Sequence, residues 1–132
     1  MERQLRAILA MDVVGFSKMM SEDEENTLRV LTDRRQVVDQ IINEHGGRIF
    51  NTAGDSVIAE FASPVKAAEC AVQIQNKNST INKDLNEKEK MTFRAGINMG
   101  DIMITEDNLY GDAINIAARL ESSALPDGIC IS

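Results

Sequence analysis

The chain has a single histidine, only two cysteines and no apolar run long enough to cross a membrane, and each scarcity removes a class of function. His45 precedes Gly46-Gly47 at a predicted helix end and has no triad partner in view, so it reads as a cap for helix carbonyls rather than a catalytic base. Cys70 and Cys130 lie far apart, outside any C-x-x-C pair and without the histidine spacing of a zinc site. Both are expected as buried thiols in a reducing compartment. Residues 1–4 lead straight into a predicted strand with no signal-peptide core, and no stretch nears the roughly 20 apolar residues of a membrane helix. The expectation is a cytoplasmic protein with no membrane segment. Positive charge is scarce too: 14 Lys and Arg stand against 21 Asp and Glu, a net charge of -7, which repels a phosphate backbone over most of the surface. Nucleic acid is therefore not an expected partner.

At 132 residues, with no internal repeat, linker or low-complexity tract, the chain is read as one domain able to bury a core without disulfides. Leu5 to Met11 is a nearly continuous apolar run, as in a strand buried on both faces, and Asp12 ends it. Ser21 with Glu24 forms a capping box in front of an apolar stripe through Leu28, Leu31, Val38 and Ile42, which predicts one long helix over residues 22–43. Residues 48–51 and 57–61 flank Thr52-Ala53-Gly54-Asp55 as a hairpin. Ser63-Pro64 starts a helix that runs toward Asn76, and the polar stretch over residues 76–90 is expected to be a mobile connection. Residues 91–98 and 102–105 form a second predicted hairpin around Met99-Gly100-Asp101, followed by a helix over residues 111–123 and a last strand over 129–131. That order is an α+β fold, a ferredoxin-like split β-α-β sheet with its helices on one face.

Two carboxylates stand where apolar strands stop: Asp12 in A-I-L-A-M-D-V-V-G-F-S and Asp55 in F-N-T-A-G-D-S-V-I-A-E-F. Converging, they supply the hard oxygen ligands that Mg²⁺ prefers, with positions left for water and substrate phosphate. Val14-Gly15-Phe16-Ser17 follows directly, and its backbone N–H groups suit phosphate oxygens. Asn115 and Arg119, four residues apart on the third predicted helix, share one face.

Phe50-Asn-Thr-Ala-Gly-Asp55, Phe93-Arg-Ala-Gly-Ile-Asn-Met-Gly100 and Tyr110-Gly-Asp-Ala-Ile-Asn-Ile-Ala-Ala-Arg119, in this order behind the first strand, resemble the class III adenylate and guanylate cyclases over nearly the whole chain. The resemblance implies that Asp12 and Asp55, with the carbonyl of Val13, hold two Mg²⁺ or Mn²⁺ ions per site. It implies that Gly15 and Phe16 lie against phosphate, that Arg94 reaches the departing phosphates, and that Asn115 orients the ribose while Arg119 stabilises charge on the α-phosphate. The latter pair would reach across from a neighbouring subunit of a head-to-tail homodimer. Asn51 and Asn108 occupy the base-reading positions, where adenine-selective members carry a lysine and an aspartate or threonine. The expected activity is conversion of a nucleoside triphosphate, ATP first, to cyclic AMP and pyrophosphate; guanylate cyclase and a non-catalytic dimerising or nucleotide-sensing homologue are the alternatives. The catalytic domain is expected over residues 1–132, shortened at its C-terminal end, because family domains continue into further strands and a lysine that contacts the triphosphate.

Overall fold

The central strand β1 (Arg3–Val13) is apolar at nearly every position from Ala7 to Met11 because both of its faces are covered. A computed structural model of the chain describes residues 3–51, 53–106 and 108–132, and of Asn51 only the backbone. After β1 come α1 (Phe16–Glu22), α2 (Glu24–Glu44), β2 (Arg48–Asn51), β3 (Val57–Phe61), α3 (Pro64–Asn82), β4 (Phe93–Ile104), β5 (Leu109–Tyr110), α4 (Asp112–Ser123) and β6 (Ile129–Ile131). The sheet runs β2-β3-β1-β4-β5, antiparallel throughout, with β6 added parallel to β4. The order β2-β3-β1-β4 with crossover helices α2 and α3 is the split β-α-β arrangement expected.

Side-chain parity on β1 divides the interior. Ala7, Leu9, Met11 and Val13 join the main core with Val30, Val38 and Ile42 of α2 and Ala67, Ala71 and Ile74 of α3. Ile8 and Ala10 point the other way, into a smaller cluster with Ala113 and Ala117 of α4. Helices on one face therefore describe the β1-to-β4 core, whereas α4 lies on the opposite face. The alternation that sends even-numbered residues of β1 and β4 toward α4 also aims the candidate site's side chains there.

The structure departs from expectation elsewhere too. The predicted long helix is two: α1 ends at Glu22, and Asp23 caps α2 by accepting a hydrogen bond from Asn26 N–H at 3.1 Å. Ser21 is no cap; its hydroxyl donates to the Lys18 carbonyl at 2.8 Å. The predicted hairpin around Met99-Gly100-Asp101 is one unbroken strand, since β1 is long enough to pair it through Ala7↔Met99, Arg6↔Gly100 and Leu5↔Asp101. Asp12 does not end β1 but lies inside it, paired with Arg94.

The predicted mobile connection begins instead as helix, because α3 runs on to Asn82. Asn78 and Asn82 accept from the guanidinium of buried Arg34 at 2.6 Å each, and the same guanidinium donates to the Met91 carbonyl at 3.0 Å and the Glu89 carbonyl at 3.2 Å. A buried charge must be hydrogen-bonded, and these amides are how the fold does it. Burial lowers the Arg34 pKa from its ordinary value. His45 ends α2 as expected, with its ring Nδ1 2.8 Å from the Ile41 carbonyl, and Cys70 is buried, which pushes its thiol up to about 12. Cys130, also expected to be buried, is only partly so, because it sits on the short strand β6, paired to β4 at the margin of the sheet.

Candidate active site

Asp12 and Arg94 face each other across the β1–β4 ladder, on the α4 side of the sheet. Although 82 residues apart in sequence, they form a forked ion pair, Arg94 Nε to Asp12 Oδ1 at 3.3 Å and Nη2 to Oδ2 at 3.1 Å. The remaining terminal nitrogen, Nη1, donates to the Ser122 carbonyl at the end of α4 at 3.1 Å. The Asp12 hydrogen bond raises the Arg94 pKa above its ordinary value against a smaller desolvation, with the charges of Asp12, Glu121 and Asp55 adding to the rise. Such a planar fork suits carboxylate or phosphate equally.

A third carboxylate joins them. Glu121 lies one α4 stripe beyond Ala113 and Ala117, so the spacing that buries two alanines on the sheet also buries this acid, at 6 % exposure. Its Oε2 stands 3.4 Å from Arg94 Nη2 and, among the described residues, has no hydrogen-bond partner. Burial, helped by the nearby carboxylate of Asp12, pushes the Glu121 carboxyl up to about 7 against the lowering effect of Arg94. Sequence reading passed over this residue. The signal was the i, i+4, i+8 run that puts a carboxylate in line with two core alanines.

Asp55 arrives from another direction. The turn between β2 and β3 places Gly54 at φ 59, a left-handed conformation that glycine adopts without strain, and Asp55 follows it. Its Oδ2 accepts a hydrogen bond from Val13 N–H at 3.0 Å. That bond brings the tip of the hairpin to the end of β1, next to Asp12. Asp12, Val13, Asp55 and Arg94 are thus gathered in one corner, with Gly15 and Phe16 directly following at the start of α1.

This corner fits a hard divalent cation. Two carboxylates and the end of a strand offer oxygen ligands, and a guanidinium already sits as a stand-in cation among the charges of Asp12, Glu121 and Asp55. Among the described residues no group of three or more His, Cys, Asp or Glu is placed to hold an ion by itself, so the donor set leaves positions for substrate oxygens and water.

The other predicted residues lie elsewhere. Asn115 and Arg119 are exposed on α4, away from the Ala113–Ala117–Glu121 stripe that faces the sheet. Asn108 lies in the turn between β4 and β5, where its Oδ1 accepts from Leu109 N–H at 3.0 Å and its own N–H donates to Thr105 Oγ1 at 3.1 Å. The Asn51 side chain and Thr52 fall outside the described residues.

With this geometry in hand, likeness to known proteins is specific. A model of the adenylate and guanylate cyclase catalytic domain matches residues 3–132. A Rhizobium meliloti (strain 1021) protein named "Putative adenylate cyclase 3" is 44% identical over 131 residues, covering 98% of this chain and 22% of the relative. The chain thus spans about a fifth of that relative's length. The structure named as an adenylate/guanylate cyclase/hydrolase from Silicibacter pomeroyi is similar at TM-score 0.90 and 41% identity, over 99% of this chain and 77% of that one. A structure described as the guanylyl cyclase Cya2 follows at TM-score 0.82 and 26% identity, over 99% and 76% of the two chains. The chain belongs to the family of adenylate and guanylate cyclase catalytic domains.

Proposed function

We propose that this domain makes cyclic AMP from ATP, releasing pyrophosphate, as one half of a head-to-tail homodimer. The observation that supports this reading is the division of α4 into two working faces. Glu121 on the buried face touches the Asp12–Arg94 pair, while Asn115 and Arg119 look outward. Within one chain the two sets point apart, and a second copy presenting its Asn115 and Arg119 to the corner would complete each site.

In this mechanism Asp12, Asp55 and the Val13 carbonyl hold two Mg²⁺ or Mn²⁺ ions. Bound there, the ions supply a lowered pKa for the ribose 3′-hydroxyl and charge neutralisation for the triphosphate. Every other role falls to the chain. Gly15 and Phe16 present backbone to the phosphates, and Arg94 turns its fork to the leaving pyrophosphate. Asn115 of the second copy orients the ribose so that O3′ lines up with the α-phosphorus, and its Arg119 stabilises the charge that develops as the O3′–P bond forms and the bond to the β-phosphate oxygen breaks. The proton leaves O3′ for solvent.

ATP is placed first because the Rhizobium relative and a Streptomyces coelicolor relative, 26% identical over 121 residues, are both named as adenylate cyclases. One observation favours GTP as the second reading. Asn108 spends its Oδ1 on Leu109 N–H, which leaves the amide nitrogen to face a base, and a donor there matches the O6 carbonyl of guanine better than the amine of adenine. Incubating the chain with ATP or GTP and Mn²⁺, and assaying cyclic product and pyrophosphate, separates the readings. Cyclic AMP in excess supports the first and cyclic GMP in excess the second. Product from neither assigns the domain to a non-catalytic dimerising or nucleotide-sensing role.

A further inference from the structure

Arg94 cannot serve Asp12 and an incoming phosphate at once. Two of its three donor nitrogens are spent on Asp12, the carboxylate that the proposed mechanism gives to a divalent cation. Once Asp12 turns to that cation, the guanidinium loses its main partner and gains a repulsive neighbour, so a fold that relied on Asp12 alone would release Arg94 to solvent. The end of α4 offers a second cradle. Ser122 holds Nη1 through its carbonyl at 3.1 Å, and the adjacent Glu121 places Oε2 at 3.4 Å from Nη2.

Glu121 is otherwise costly. A buried carboxylate with an unbonded oxygen destabilises a fold unless a cation answers it. Among the described residues the cation in ion-pair contact with it is Arg94. The cost is accounted for if Glu121 has a second state in which that contact shortens.

We propose that Glu121 is a positioning residue for Arg94: it shares the guanidinium with Asp12 in the metal-free protein and retains it when Asp12 turns to a divalent cation, keeping the fork aimed at the phosphates. This rests on the reading of Asp12 as a metal ligand and Arg94 as a phosphate contact. Entry of the cation and presentation of Arg94 are then one exchange, with Glu121 as the anion that makes the exchange cheap.

The test is Mn²⁺ binding without nucleotide, followed by electron paramagnetic resonance at pH 8, for the wild-type chain, Glu121→Gln, Arg94→Gln, the double variant and Asp12→Asn. Glu121→Gln leaves Arg94, among the described residues, with Asp12 as its remaining ion-pair contact, so Mn²⁺ must compete harder and its affinity falls about fivefold, within the usual range of coupling between touching charged residues. In the Arg94→Gln background the same substitution changes affinity by about twofold or less, because there is no guanidinium left to hold. An equal or larger loss in that background would show that Glu121 acts on the ion directly and overturns the proposal. So would an unchanged affinity in Glu121→Gln alone. Should Glu121→Gln not fold, Glu121→Asp serves: it keeps the charge but withdraws it from Arg94, and an affinity equal to wild type counts against the proposal. Binding lost in Asp12→Asn but indifferent to Glu121 refutes the positioning role alone, whereas wild type that binds no Mn²⁺ refutes the metal reading and this inference with it.

Discussion

Gly96→Ala is the most direct challenge to the placement of α4. Gly96 lies in β4 opposite Ala10, on the side facing α4, and a Cβ there would stand 2.9 Å from Glu121 Cα and nearer still to Glu121 N and the Ala117 carbonyl. Carbon atoms at rest keep about 3.5–4.0 Å, so the helix must lift by about 1 Å, and backbone cannot swing aside as a side chain can. Overpacking of this kind costs about 1–3 kcal/mol, and lifting Ala113 and Ala117 from their cluster adds to it, so a total of about 2–4 kcal/mol is expected. For a chain of this length that is a fall of roughly 6–15 °C in Tm. Activity should fall further than stability explains, because α4 carries Asn115, Arg119 and Glu121, and a shift of about 1 Å can cost a hundredfold in rate. Gly46→Ala is the control: Gly46 has φ 75 with nothing within 4 Å of an added Cβ, so it bears only conformational strain of about 1 kcal/mol. The assay is urea denaturation followed by circular dichroism, with Mn²⁺-dependent turnover on the folded fraction. A Gly96→Ala protein matching Gly46→Ala in midpoint and wild type in turnover would refute the close approach of α4 to β4.

Arg34→Leu should destabilise the protein by about 3 kcal/mol, because it removes the donors that Asn78, Asn82 and two carbonyls share in a buried position, and a loss under about 1 kcal/mol by denaturant titration would contradict the cage. Glu121 gives a pH signature in metal-free buffer. Its carboxyl is pushed up from an ordinary 4.5 to about 7, so the native state holds the proton more tightly than the unfolded chain. That stability is fully present below pH 4.5 and is lost as pH rises through 7. Glu121→Gln keeps it, so the variant should gain about 2 kcal/mol relative to wild type between pH 5 and pH 8, and a constant difference across that window would be evidence against the shift. Asp55→Ala and Arg119→Ala should each be inactive, yet mixing them should restore product, since a heterodimer rebuilds one intact site of two; no recovery after verified subunit exchange would place the two residues in one chain's site.

Local pattern was enough to place β1, the β2–β3 hairpin with Asp55 at its tip, α4 and β6, because each is a short segment whose apolar period, cap or turn residue is written in adjacent positions. The order of motifs was enough for the family. Periodicity reports that a face is buried, however, and not by what. The Asp12–Arg94 pair depends on the β1–β4 register, 82 residues of separation that no window spans. The same register carries β4 straight through Met99-Gly100-Asp101, where turn-forming residues suggested a hairpin. The polar end of α3 looked like a connector because the residue that makes it helical, Arg34, lies 44 positions from Asn78. Glu121 shows the limit most plainly. Sequence puts it in line with Ala113 and Ala117, but only the packing of α4 on the far side of the sheet, against Arg94 and Asp12, turns a buried acid from a defect into part of the site.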